Sequence, residues 1–89
     1  LYIPNSFSPN NDGINDGFKP VITGHDYYEF IVIDRWGEPI FSTYDSSVYW
    51  DGYADGELCP IGDYMCKLIY SKPNDIMKLT YYTNLNLLR

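Results

Sequence analysis

Between Trp50 and Tyr64 the chain carries Asp51-Gly52, Asp55-Gly56, Pro60 and Gly62, a run of turn chemistry held between two large aromatic residues. Such a stretch reads as a structured connection between strands. Trp50 and Tyr64 are the expected core anchors at its ends, and Asp51, Gly52, Gly56 and Gly62 the turn residues that make the connection possible. Nothing in it resembles a reaction centre.

The segments on either side alternate in the way strands do. Tyr27 to Trp36 is rich in β-branched and aromatic residues, with Tyr28, Phe30 and Val32 on one face, and is expected to be an interior strand. Ile31 and Ile33 imply that its other face is partly covered too, by the long loop or by a neighbouring domain. Gly37-Glu38-Pro39 turns the chain into Ile40 to Tyr44, a hairpin partner. Tyr64 to Ser71 alternates up to Lys72-Pro73-Asn74-Asp75, a second hairpin turn, and Lys78 to Arg89 is the closing strand. Leu1 to Phe7 holds Pro4, which suits an edge strand. No segment has helical periodicity. The expected fold is an all-β, antiparallel immunoglobulin-like sandwich of about seven strands.

A chain of 89 residues makes one domain, spanning 1–89, near the size at which a single core suffices. Ten Tyr, four Phe and two Trp supply the core material that so short a chain needs. The net charge of −6 repels nucleic acid and anionic membrane surfaces. No apolar run reaches the ~20 residues of a membrane-spanning helix, so membrane insertion is not expected. The strand pattern under way at Leu1 fits a piece of a longer protein.

Ser8 to Gly17 alternates oxygen-bearing side chains around Gly13. Counted as a calcium loop from Ser8, it places Asn10, Asp12, the Ile14 carbonyl and Asp16 at ligand positions, but Lys19 stands where the bidentate Glu belongs. An EF-hand is therefore not expected, and the flanking helices it needs are not signalled either. Two readings stay open, a calcium site on a loop of the sandwich and an Asx-turn loop bonded to its own backbone.

Catalytic chemistry is hard to assemble, because the single His25 lies in an apparent turn and no base is placed beside a nucleophile. No enzyme is expected, nor a zinc site, for which Cys59, Cys66 and one distant His lack the paired spacing. The two cysteines are expected to form a short-loop disulfide in an exported domain, with an inward Cys66 and a partly exposed Cys59 thiol as the alternative. Trp36, Tyr49, Trp50 and Tyr53 are read chiefly as core packing, with a sugar-stacking face as the second reading. Trp36, next to Arg35, could also pack structurally beneath a guanidinium.

Four stretches resemble, in order, the signatures of the gliding-motility-associated C-terminal domain, the type B sorting domain of the type IX secretion system of Bacteroidetes. They are Ile3 to Asp16, Val32 to Glu38 with its Arg35-Trp36-Gly37, Trp50 to Tyr64, and Leu85-Asn86-Leu87-Leu88-Arg89. Asn11, Asp34 and Thr83 depart from the family pattern. The resemblance implies a non-catalytic signal at the end of a larger secreted or surface protein. Its upstream cargo domains would pass through the periplasm and then reach the cell surface or the medium. The implied partner is the type IX machinery, through an outer-membrane protein of the PorP/SprF type. The closing strand, and Leu85 to Arg89 in particular, is the expected recognised edge. The alternative is an adhesive or carbohydrate-binding immunoglobulin-like module.

Overall fold

Tyr28, Phe30 and Val32 alternate with half-buried neighbours along Tyr27–Ile33, so this strand lays one complete apolar face on the core. The computed structural model describes residues 1–9 and 17–88. Among them are seven strands: β1 (Ser6–Phe7), β2 (Tyr27–Ile33), β3 (Pro39–Thr43), β4 (Tyr53–Ala54), β5 (Glu57–Leu58), β6 (Gly62–Ser71) and β7 (Leu79–Leu87). No helix occurs among the described residues. The all-β expectation holds.

Five strands form one sheet in the order β1-β7-β6-β2-β3, and β4 and β5 form a separate two-stranded ribbon. The sheet departs from the expected antiparallel pattern at one place. β1 runs parallel to β7, with Ser6 beside Asn86 and Phe7 beside Leu87, while every other pairing in the sheet is antiparallel. A parallel pair needs a long crossover, and here almost the whole chain supplies it.

Register decides what is buried. Phe30 sits opposite Leu68, Val32 opposite Cys66 and Tyr64 opposite Leu85, so their side chains share one face. Over that face lies a thin second layer of extended segments, tied by isolated bridges between Tyr2 and Val21 and between Phe18 and Trp50. Phe18 meets both Phe7 and Phe30, and Trp50 meets both Phe7 and Tyr64, at ring separations of 5.4–5.8 Å. These aromatics weld the layers together, since tilted and edge-to-face pairs add to the area they bury.

The stretch from Trp50 to Tyr64 is a sequence of locally satisfied turns. The Asp51 carboxylate accepts the Tyr53 N–H, the Trp50 indole donates to the Tyr53 carbonyl at 3.0 Å, and the Cys59 N–H donates to the Gly52 carbonyl. Asp55 and Gly56 both have positive φ, 53° and 79°, which is the two-residue hairpin turn joining β4 to β5. The Tyr64 hydroxyl donates to the Pro60 carbonyl four residues back. Trp50, Asp51, Gly52 and Tyr64 each take part in these bonds.

The expected Cys59–Cys66 disulfide is not formed. Both residues are buried, but the two sulfurs are not joined. β6 is extended from Gly62, so Cys66 lies about 13 Å along the strand from its start, and nearness in sequence does not by itself bring the two cysteines together. A bridge needs Cα atoms within roughly 7 Å.

Candidate recognition surface

Leu85 and Leu87 are fully buried, with no exposed surface. Leu85 packs on the face shared with Tyr64, and β1 covers the other side of the strand at Asn86 and Leu87. The Asn86 and Leu88 N–H groups donate to the carbonyls of Asn5 and Phe7. Leu85 and Leu87, expected to be read by a partner, are therefore core, and among the described residues of that group Asn86 and Leu88 face outward. Arg89 lies outside the described residues, as do the proposed calcium positions Asn10, Asp12, Ile14 and Asp16.

The open part of the closing strand is its first half. From Leu79 to Asn84 it pairs with β6 on one side, and no strand among the described residues pairs on the other. This edge carries no charged residue, and Tyr81 and Tyr82 stand on it about half exposed. Lys67 lies 5.6 Å from the centroid of the Tyr82 ring, and Lys78 lies 3.9 Å from that of Tyr27. Natural edges of this length are usually blunted by charge, Pro or a bulge unless something is meant to pair with them.

At the other side of the sheet, the β2–β3 hairpin closes over Arg35, Trp36 and Gly37. The Asp34 carboxylate accepts the N–H groups of Trp36 and Glu38, both at 2.9 Å, and Gly37 turns the chain with φ of 83°. This is a three-residue turn ending in a left-handed glycine, two residues earlier than Gly37-Glu38-Pro39 implied; Pro39 opens β3. The backbone needs nothing from the Trp36 side chain, which is 83% exposed. Its assignment as a packing residue is thus corrected: β2 ends at Ile33, and the turn swings the indole out of the alternation that buries Val32. Tyr49 and Tyr53 are likewise exposed, leaving Trp50 as the core member of that aromatic group.

Beneath the turn is a groove of about 360 Å³ on the face of the sheet opposite the core. Ile33, Met65 and Tyr82 supply its apolar walls, and Asp34, Arg35 and Asp63 its polar rim. A second hollow of about 330 Å³ is lined by Asp34, Arg35, Trp36, Pro60 and Tyr64. Arg35 borders both. Its guanidinium reaches over Gly62, with Nη2 3.1 Å from where a Cβ on that glycine would stand, so Gly62 leaves room for Arg35 as well as making the turn.

Among the described residues no three His, Cys, Asp or Glu side chains come together in a way that would hold a metal ion. The strongest shifts in acidity belong to core groups. Burial pushes the Cys66 thiol up to about 12 and raises the Tyr28 phenol well above its ordinary value.

Among its described residues this small all-β scaffold thus presents an uncharged edge with no strand paired to it and an exposed Arg-Trp turn. Residues 1–84 match the family described as the CHU_C type IX secretion signal domain, and the chain belongs to that family. A comparison with curated proteins finds no match. The domain is a type IX secretion signal, which interacts with the type IX machinery and accompanies export across the outer membrane to the surface or the medium.

Proposed function

We propose that this chain is a non-catalytic sorting domain. Upstream cargo crosses the periplasm with it, and the folded domain is read at the outer membrane by a protein of the PorP/SprF type. The observation that carries this reading beyond the family match is the uncharged edge of β7 from Leu79 to Asn84, to which no strand among the described residues pairs. Such an edge offers backbone donors and acceptors to an extended strand of a partner, while Tyr81 and Tyr82 supply side-chain contact. The recognised part of the closing strand is thereby moved from the buried Leu85 and Leu87 to the residues before them.

The test is a fusion of the 89 residues to a reporter bearing a general export signal, expressed in cells with a working type IX system. Secreted or surface reporter is the expected result, lost when the PorP/SprF-type protein is deleted. Retention of the intact fusion in the periplasm would sink the proposal. Calcium belongs to the same experiment, since a structural cation in the 10–16 loop would raise the domain's melting temperature on calcium addition.

A further inference from the structure

Trp36 is the most exposed of the aromatic residues among those described, and the turn that carries it is pinned by hydrogen bonds. The Asp34 carboxylate fixes the backbone on both sides of it, so the indole is presented on a preorganised turn. Burying it elsewhere in this domain is not an option the fold has left open, because the core face of β2 ends with Val32. A large apolar side chain exposed to this degree gains by transfer out of water into a partner.

The residue beside it adds a chemical preference. Among the described residues Arg35 forms no ion pair, although the chain as a whole carries a net charge of −6. Asp34, its neighbour on the rim, is occupied in capping the turn, and Asp63 lines the same groove from the neighbouring strand β6. The guanidinium therefore sits at the mouth of an apolar groove as an unmatched cation with five fixed donors, the geometry that receives a carboxylate in two parallel hydrogen bonds. The groove volume of about 360 Å³ accommodates one or two aliphatic side chains between Ile33, Met65 and Tyr82.

We infer that the Arg35-Trp36 turn and the adjoining groove dock an extended segment of the secretion partner in which an acidic residue lies next to an aliphatic one. The carboxylate pairs with Arg35, the aliphatic side chain enters the groove, and Trp36 inserts into the partner. This inference rests on the sorting-signal reading and names a contact surface that adjoins the β7 edge at Tyr82 and extends it across the sheet to the β2–β3 turn.

The experiment uses the reporter fusion with Trp36→Ala, Arg35→Glu and Arg35→Lys, together with Ile76→Ser as a control. Ile76 is fully exposed at the β6–β7 turn and lies outside the groove. Trp36→Ala and Arg35→Glu are expected to cut the secreted fraction by about tenfold or more, on the scale of interface hot spots. Arg35→Lys retains part of the activity and Ile76→Ser all of it. Melting temperatures of the purified variants stay within 2 °C or so of the parent, as expected for surface changes. A photo-cross-linking p-benzoyl-phenylalanine at position 36 then identifies the segment reached. A cross-linked peptide containing Asp or Glu beside an aliphatic residue supports the inference. Undiminished secretion of Trp36→Ala and Arg35→Glu overturns it, as does a cross-link to a glycan, a lipid or a segment without an acid, or the absence of any cross-link. Failure of the parent fusion to be secreted would instead remove the sorting reading itself.

Discussion

The Trp50 indole and the Tyr64 ring meet edge to face, with centroids 5.4 Å apart and planes at 64°, so the two ends of the turn-rich stretch close on each other. The polar ends of both residues are also occupied, Trp50 Nε1 by the Tyr53 carbonyl and the Tyr64 hydroxyl by that of Pro60. A segment with little regular structure is thereby clamped at its base.

Removing the clamp is expected to cost far more than loosening it. Trp50→Ala deletes a fully buried aromatic side chain and should lower stability by about 3–5 kcal/mol. Tyr64→Phe keeps the ring contact and loses one hydrogen bond, for about 1 kcal/mol. Urea denaturation of both variants checks the ranking; equal losses would show that the ring contact is not the main support.

Leu85 and Asn86 are neighbours in sequence with opposite roles. Leu85→Ala should destabilise by about 2–5 kcal/mol because it opens a cavity under Tyr64. Asn86→Ser, on the outward side, should stay within about 0.5 kcal/mol of the parent. If Leu85→Ala impairs export, the defect is one of folding and should ease when cells are grown cooler. A folded Leu85→Ala protein that still fails to be exported would return Leu85 to the recognised surface.

The buried Cys66 thiol predicts an alkaline weakness. Burial pushes its pKa in the folded chain up to about 12, against an ordinary 9.0. The unfolded chain therefore loses this proton first as pH rises. The corresponding stability is complete below about pH 9 and is lost progressively between about 9 and 12. Tyr28, also raised by burial, adds to the loss from its ordinary value of 10.0 upward. Cys66→Ala should cost about 1 kcal/mol at neutral pH and flatten the decline between pH 9 and 10. An unchanged slope in that interval, measured by thermal melts across the series, would rule out the thiol as its source.

Much of the sheet was legible because alternation and turn chemistry are local. Tyr28, Phe30 and Val32 declared the core face of β2, and Lys72-Pro73-Asn74-Asp75 the turn before β7, where Asn74 does take positive φ. The Asp55-Gly56 ribbon carried its usual signal within a segment read only as a connection. What was not legible depends on distant partners. Alternation places Leu85 and Leu87 on a face but cannot say that β1 will lie alongside, and this contact separates the covered end of β7 from its open half. Trp36 escaped for a related reason, since aromatic content suggests burial while a turn beginning at Asp34 dictates exposure. The disulfide expectation relied on nearness along the chain, which an extended β6 undoes.

The parallel contact between Ser6 and Asn86 joins the beginning of the sheet to its end. A ribosome, or a channel passing the chain in order, releases Phe7 long before the residues that will receive it. The first strand has no place to settle until the last one emerges, so a prematurely terminated chain cannot complete the sheet. A transport system that accepts only the finished surface thus tests that this domain is complete from its first strand to its last, without a separate proofreading device.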